Sequence, residues 1–281
     1  MSTKKNIVWL ASYPKSGNTW FRSFLSALLT KQELNLNKMY IRDVFSGKKL
    51  VEDILDTDSD SLTPQQIELY QRLTFQYLSD TSSNYLYVKI HDAFTFSAFD
   101  GLPLIPEEPT RLAIYLLRNP LDVTLSLANH LGRDYDSVIQ NYINNPSGFF
   151  GNSFTTNNQF SQPLLTWSQH VESWKTYPTF KVHFIRYEDL KTNPFEVFKE
   201  AVQLIGLNHT DDEIRAAIEA TSFEKLKKIE QEKGFREKLL PASTFFFKGE
   251  TGRWKQELNT KQIQQIKKIN EPMMREFGYW D

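Results

Sequence analysis

The sequence predicts an α/β fold of one domain, residues 1–281, in which a central parallel β-sheet is flanked by helices. Three observations support this. Four short runs, at 6–11, 85–90, 111–117 and 181–186, are almost continuously apolar, as strands buried on both faces of a parallel sheet are. Helical patterns alternate with these runs, which is the order of βαβ units. The length of 281 residues is ordinary for one such domain and sufficient to bury a full core.

Helical patterns fill most of the chain between and after the strands. Two of them have well-marked starts, Thr63-Pro64 and Asn119-Pro120, because a capping side chain precedes a proline at the first helical position. The predicted helices cover residues 18–31, 64–79, 120–131, 164–176, 194–205, 211–232 and 260–277.

Two segments show no clear periodicity. Residues 43–62 are acidic, which predicts an exposed segment. Residues 132–163 are rich in Gly, Asn and Ser with interspersed Phe and Tyr, and a loop of that length is usually functional or disordered. A lid on the substrate side of a site and a flexible insertion are both compatible with this composition.

Composition limits the partners and the compartment. The chain has 33 Lys and Arg against 34 Asp and Glu, so neither nucleic acid nor an anionic membrane is indicated as a partner. It has no cysteine, which excludes disulfides, thiolate catalysis and zinc–thiolate sites. The apolar stretch after Lys4 and Lys5 is broken at Ser12, too early for a signal-peptide core or a membrane span. These observations predict a soluble cytoplasmic protein.

The stretch SYPKSGNTW, residues 12–20, lies at the turn between the first strand and the first helix. Such a turn directs backbone N–H groups and the positive end of the helix dipole at one point, which favours a phosphate. Gly17 allows close approach of the backbone, and Lys15 adds a full charge. The Walker pattern is absent, because the lysine precedes the glycine and there is no first glycine. An ordinary capped turn would not account for Lys15 or Trp20.

The other three strands also run into polar side chains. Lys89 and His91 close the second strand, Arg118 comes directly after the third, and Tyr187 after the fourth. Ligands of open parallel sheets bind outside the carboxyl ends of the strands, so these residues are predicted to share one crevice with Lys15. Arg118 stands where a P-loop kinase would hold Mg²⁺ with a carboxylate. A guanidinium there binds an anion directly, which indicates a second phosphate site.

Taken together, these segments resemble the sulfotransferases that use 3′-phosphoadenosine 5′-phosphosulfate (PAPS). SYPKSGNTW is similar to the family's 5′-phosphosulfate loop, YLLRNPLDVTLSLANH to its 3′-phosphate segment, and KIHD to its Lys-x-His catalytic segment. RYEDLKTNP, TSFEKLKK and FKGETGRWKQEL also fit, in family order, so the resemblance spans residues 8–258. Among subgroups the sequence is most similar to soluble bacterial enzymes that sulfate natural products.

The resemblance implies a role for each matching residue. His91 would be the general base, Lys15 would neutralise the leaving oxygen, and Lys89 would support the transferring sulfonyl oxygens, with no metal required. The 5′-phosphosulfate would be held by Lys15, Ser16, Gly17, Asn18 and Thr19, and Trp20 would flank the adenine. The 3′-phosphate would be held by Arg118 and Ser126, covered by Lys248 and Gly249. The nucleoside would be contacted by Tyr187, Thr221, Ser222 and Phe223.

The sequence departs from the family pattern in three places. Phe247 occupies a position that is often Arg in the animal cytosolic enzymes, which predicts one contact fewer to the 3′-phosphate. Asn18 replaces the usual Thr. No copy of the short C-terminal dimerisation motif is present, so a monomer and a homodimer both stay open.

The predicted function is transfer of a sulfuryl group from PAPS to a hydroxyl or nitrogen of a small-molecule acceptor, such as a secondary metabolite. A Mg-ATP-dependent kinase is disfavoured by Arg118 and the missing Walker order, and a non-catalytic nucleotide-binding protein by the pairing of Lys15 with His91. Residues 91–99, 132–163 and the run Phe245-Phe246-Phe247 are predicted to line an aromatic acceptor pocket. Two further expectations concern the surface. The remaining histidines are predicted to be structural or exposed (His130, His170, His183 and His209). Residues 224–238 are predicted to form a solvated helix face and then a loop, and the resemblance implies that their C-terminal half folds over the nucleotide.

Overall fold

The computed structural model describes residues 4–41, 43–150, 158–239 and 244–281. The strands in this part of the chain are β1 (Ile7–Ser12), β2 (Leu86–Ile90), β3 (Thr110–Leu117), β4 (Phe149–Phe150), β5 (Gln162–Pro163) and β6 (Lys181–Arg186). The helices are α1 (Asn18–Thr30), α2 (Lys48–Leu55), α3 (Pro64–Thr81), α4 (Pro120–Leu131), α5 (Tyr135–Val138), α6 (Trp167–Thr176), α7 (Tyr187–Thr192), α8 (Pro194–Ile205), α9 (Asp211–Ala220), α10 (Phe223–Lys233), α11 (Trp254–Glu257) and α12 (Thr260–Glu276).

The central sheet has four parallel strands in the order β2-β1-β3-β6. Strand β1 is inside the sheet, pairs with β2 and β3, and is buried at every residue. The prediction of an α/β fold with a parallel sheet between helices is confirmed. Because all four strands are parallel, their carboxyl ends share one edge, and the polar side chains lie just beyond it.

The two faces of the sheet bury separate cores. Side chains alternate between faces along a strand, so Trp9 joins a core with residues of α3, α4, α6 and α12, whereas Leu10 joins one with residues of α1, α8 and α9. The buried indole N–H of Trp9 is satisfied by the Thr110 hydroxyl at 2.8 Å. Because helices cover both faces of the sheet, the ends of its strands are the part of the sheet that a ligand can reach.

The prediction of one continuous helix over 211–232 is wrong, because the helix ends at Ala220 and a new one begins at Phe223. Two side chains account for the break. The Thr221 hydroxyl donates to the Ala217 carbonyl, and the Ser222 hydroxyl caps α10 by accepting from the Lys225 N–H. The first residues of α10 contribute to the wall of a cavity at the strand ends.

The two segments without periodicity are more ordered than predicted. Residues 43–62 contain helix α2, whose Val51 is buried, and Phe45 packs on Trp9 and Phe75, so the prediction of an exposed segment is wrong. Within 132–163, α5 continues into a π-helical turn at Ile139–Ile143, and β4 pairs with β5. The predicted lid falls partly on 151–157, outside the described residues. No helix among the described residues is long and apolar enough to cross a membrane.

Candidate active site

A cavity of about 1380 Å³ opens where the four parallel strands end. Its wall contains Lys15 after β1, His91 after β2, Arg118 after β3 and Tyr187 after β6. The predicted crevice is therefore present. All the predicted site residues line it except Ser16 and Thr221, which are buried beside it.

The turn between β1 and α1 is shaped for close approach of an anion. Lys15 and Gly17 both have left-handed backbone conformations, at φ 68° and 101°. A Cβ on Gly17 would lie 2.8 Å from the Tyr187 ring, so only glycine allows this packing. No side chain caps α1. The N–H groups of its first turn are therefore available to a ligand.

The Asn18 side chain holds this turn in place. Its amide nitrogen donates to the Leu10 carbonyl at 2.8 Å and to the Ser12 hydroxyl at 3.2 Å, and its oxygen accepts from Arg22 Nε at 3.1 Å. The hydroxyl of Ser16 is buried without a partner. Asn18 thus supports the loop through its side chain. The unpartnered hydroxyl of Ser16 belongs to the same turn, at the predicted phosphosulfate site.

Arg118 joins three segments around the cavity. Its two terminal nitrogens donate to the carbonyls of Lys15 at 3.2 Å and Glu250 at 2.9 Å. The guanidinium lies 4.4 Å from the centroid of the Tyr187 ring, and the Tyr187 hydroxyl donates to the Gly249 carbonyl at 3.2 Å. Arg118 Nε is buried with no hydrogen-bond partner. The guanidinium of Arg118, with an N–H group that has no partner, is therefore held between the turn after β1 and the C-terminal segment.

The C-terminal segment packs over the end of the cavity that is lined by Tyr187 and Phe223. A Cβ on Gly249 would lie 2.4 Å from the Phe223 ring, and the residue has φ 63°, so the approach again requires glycine. Asp122 on α4 fixes the segment by accepting from the N–H groups of Gly252 at 2.7 Å and Trp254 at 3.2 Å. Two other predicted residues line this end of the cavity. Trp20 packs edge-on against the Tyr187 ring. The side chain of Lys248 is half exposed, and its Nζ lies 3.8 Å from the Glu257 carboxylate.

His91 is buried with one ring nitrogen assigned by its partner. Nδ1 lies 2.8 Å from the Ser12 carbonyl, which can only accept, so Nδ1 carries the proton and Nε2 has the free electron pair. Burial lowers the pKa of His91 well below its ordinary value, and the nearby charge of Lys89 lowers it further. The imidazole is therefore neutral at pH 7 and has the protonation state that a base needs.

Two lysines that the sequence predicted, and one carboxylate that it did not, line the cavity together with His91. Burial lowers the pKa of Lys15 to about 7, and Lys89 and Arg118 also lower it. The carboxylate of Glu237 forms ion pairs with Lys89 Nζ at 3.1 Å and with a terminal nitrogen of the fully buried Arg22 at 2.8 Å. Burial would raise the pKa of Glu237, but these two cations hold it well below its usual range. Glu237 lies after the end of α10, in the half of 224–238 that the resemblance places over the nucleotide, but no local pattern singled it out from the charged residues around it.

His130 lines the aromatic end of the cavity, a position that the prediction of a structural or exposed group did not include. Its ring is nearly parallel to Phe150 at 6.2 Å and perpendicular to Phe245 at 5.7 Å. A signal was available, because His130 is one turn beyond Ser126 and two beyond Asp122 on α4, and residues four apart share a helix face. Among the described residues no group of three potential ligands could hold a metal ion.

Comparisons with known proteins agree with this geometry. A family model described as a sulfotransferase domain matches residues 5–278. The flavonol 3-sulfotransferase of Flaveria bidentis is 25% identical over 278 residues, covering 94% of this chain and 80% of that protein. Cytosolic sulfotransferase 13 of Arabidopsis thaliana is 25% identical over 267 residues, covering 92% and 74%.

Solved structures show the same fold. Mouse sulfotransferase SULT7A1 complexed with PAP superposes with a TM-score of 0.61 at 18% identity, covering 98% of this chain and 87% of that one. Retinol dehydratase in a complex with retinol and PAP superposes with a TM-score of 0.62 at 17% identity, covering 97% and 82%.

Proposed function

The chain belongs to the sulfotransferase domain family, and on that premise we propose that it transfers a sulfuryl group from PAPS to a small-molecule acceptor, with His91 as the base. The observation that carries the proposal is one cavity in which an uncapped helix start, Lys15 and Arg118 lie with a neutral, buried histidine. The first three attract a donor with several negative charges, and the histidine can remove a proton from an acceptor.

The hydrogen-bonding groups that lack a partner in the cavity can be assigned to the two anionic ends of PAPS. Around the 5′-phosphosulfate we assign Lys15, Ser16, Gly17, Thr19 and the backbone of Asn18, because the turn offers unpaired N–H groups and an unpartnered hydroxyl. For the 3′-phosphate we assign Arg118 and Ser126, with Lys248 and Gly249 above them. To the nucleoside between the two anionic ends we assign four further residues of the cavity wall, Trp20, Tyr187, Ser222 and Phe223, together with the buried Thr221 next to Ser222.

In the proposed step the acceptor oxygen or nitrogen attacks sulfur in line with the bridging oxygen. Its proton passes to Nε2 of His91, the bond between sulfur and the bridging oxygen breaks, and the bisphosphate leaves with the electron pair. Lys15 offsets the charge that grows on the leaving oxygen. Lys89, once its ion pair with Glu237 is broken, offsets the charge on the sulfonyl oxygens. Every one of these groups lines the same cavity.

The named relatives support finer features of the proposal. A flavonol sulfotransferase among them supports an acceptor from secondary metabolism, and the cytosolic names support a cytoplasmic enzyme. The solved structures in complex with PAP support 3′-phosphoadenosine 5′-phosphate, abbreviated PAP, as the product that remains in the cavity after transfer. Whether the protein is a monomer or a homodimer stays a prediction.

The test begins with the thermal stability of the purified protein in the presence of 3′-phosphoadenosine 5′-phosphate or of Mg-ATP. A ligand at about 100 times its dissociation constant adds about 2.7 kcal/mol to the free energy of unfolding, a rise of several degrees for a chain of this size. We expect the rise with the bisphosphate alone, and then turnover of PAPS with phenolic acceptors. A rise with Mg-ATP alone would overturn the proposal in favour of a kinase.

A further inference from the structure

The aromatic end of the cavity contains a buried polar group that the proposed mechanism does not use. His130 is 94% buried, since its relative exposure is 6%, and its Nδ1 has no hydrogen-bond partner. Most buried polar side-chain atoms in folded proteins are hydrogen-bonded, so an unpartnered one on a cavity wall indicates a missing partner. Burial lowers the pKa of His130 to about 3, with Lys15 and Lys89 adding to the effect, so the ring is neutral at pH 7.

Two shared phenylalanines fix the position of His130 relative to the reacting groups. The ring centroid of Phe150 lies 6.1 Å from that of His91, in an edge-on arrangement, and 6.2 Å from that of His130, with the two rings nearly parallel. Phe245 contacts His130 at 5.7 Å, and Lys15 Nζ lies 3.5 Å above its ring. His130 is thus one aromatic ring away from the base and one from the donor lysine. An acceptor that reaches His91 along this wall also meets His130.

The wall favours a flat acceptor with an acidic hydroxyl. Phe150 and Phe245 present aromatic faces and edges, which pack well on an aromatic ring. A base of lowered pKa removes a proton more readily from a phenol, whose pKa is near 10, than from an aliphatic alcohol. Because His130 is neutral, it can exchange a hydrogen bond with a hydroxyl or carbonyl, and it offers no charge to an anionic substituent.

We propose that His130 determines acceptor specificity by hydrogen-bonding a second polar group of a phenolic acceptor whose reacting hydroxyl faces His91. This inference rests on the proposed function and narrows the acceptor to phenols that carry a further hydroxyl or ether oxygen on the ring system. A site built to hydrogen-bond a substrate group discriminates strongly against the analogue that lacks it, because its polar atom is then left unpaired.

The experiment compares three probes that differ only in the second group: 2-naphthol, 6-methoxy-2-naphthol and 2,6-dihydroxynaphthalene. Each is assayed with saturating PAPS on the wild type, His130→Phe, His130→Gln and the control His209→Phe, which changes a histidine outside the cavity. We expect the wild type to prefer one or both of the substituted naphthols in kcat/KM by about 5- to 100-fold. His130→Phe should abolish this preference, His130→Gln should retain part of it, and His209→Phe should leave it unchanged.

Folding and donor binding are measured separately by the thermal shift with 3′-phosphoadenosine 5′-phosphate, which should be equal in all four proteins. If the wild type shows no shift and no turnover, the proposed function itself fails. The inference alone is overturned if the bisphosphate binds but the three naphthols are used equally or not at all. It is also overturned if His130→Phe and His130→Gln lower kcat/KM for all three probes by the same factor, since that result indicates packing only.

Discussion

The two ends of the cavity are built in different ways. At the end that we assign to PAPS, called the donor end, the groups proposed to bind anions belong to short stretches of sequence: residues 12–20 span the turn between β1 and α1, and Arg118 comes directly after β3. At the aromatic end, which we assign to the acceptor and call the acceptor end, the wall is made by side chains from separate parts of the chain: His91 after β2, His130 on α4, Phe150 on β4 and Phe245 before α11.

This difference has a physical reason. A phosphate is bound by backbone N–H groups and fixed charges, and these are specified by a turn whose conformation requires particular residues, such as Gly17. An apolar acceptor is bound by surface shape, which many combinations of aromatic side chains supply. The donor end is therefore expected to respond sharply to single changes, and the acceptor end to respond by changed preference.

The largest expected effect lies where the two ends meet. In His91→Asn the amide can still donate to the Ser12 carbonyl, as Nδ1 does, but the free pair of Nε2 is lost. We expect kcat to fall by about 10²- to 10⁴-fold with an unchanged thermal shift from the bisphosphate. The measurement is single-turnover kinetics with saturating PAPS, beside the control His209→Asn. Retained turnover would remove His91 from the role of base.

A slightly smaller effect is expected at Lys15, and the chain offers a matched control. Lys15 and Lys31 both have left-handed backbones, at φ 68° and 53°, but Lys31 is exposed and pairs with Glu213 at the surface. Lys15→Ala should lower kcat by about 10²- to 10³-fold and weaken bisphosphate binding, because the leaving oxygen loses its charge partner. Lys31→Ala carries the same backbone cost and should keep near wild-type kinetics. Equal losses in both variants would assign the effect to the backbone.

Steric fit at the donor end is tested with two glycines of similar backbone conformation. Gly249 and Gly101 have φ 63° and 72°, but an added Cβ would lie 2.4 Å from the Phe223 ring at Gly249 and meet nothing within 4 Å at Gly101. Gly249→Ala should cost about 1–3 kcal/mol more than Gly101→Ala, through overpacking. That difference lowers the melting temperature by about 2–4 °C per kcal/mol and reduces the bisphosphate shift. Equal melting temperatures would show that Phe223 moves freely.

The smallest effect is a pH dependence of donor binding. Burial lowers the pKa of Lys15 to about 7 in the free protein, and a bound anion would raise it, so binding above pH 7 takes up a proton. Affinity for the bisphosphate should therefore fall as pH rises above 7, by at most about tenfold per pH unit. Calorimetry at pH 8 in two buffers of different ionisation enthalpy measures the uptake, and Lys15→Met should reduce it. Identical heats in both buffers for the wild type would contradict the assignment.

The unequal success of prediction at the two ends has the same origin. The four parallel strands, their shared edge, and the placement of Lys15, His91 and Arg118 in one crevice were predictable, because each depends on local apolar runs and on the residues directly after them. The helix break at Ser222 was not, since one capping hydroxyl outweighs a continuous helical pattern. Glu237 enters the site through an ion pair with residues 148 and 215 positions away, a separation that no local pattern records.

The ion pairs of Glu237 also bear on the cost of binding a ligand at Lys89. The Glu237 carboxylate lies 2.8 Å from Arg22 and 3.1 Å from Lys89, so both cations have a counter-anion within the protein before any ligand is bound. An anion that contacts Lys89 therefore competes with this carboxylate, and part of its binding free energy replaces an ion pair that the protein makes for itself.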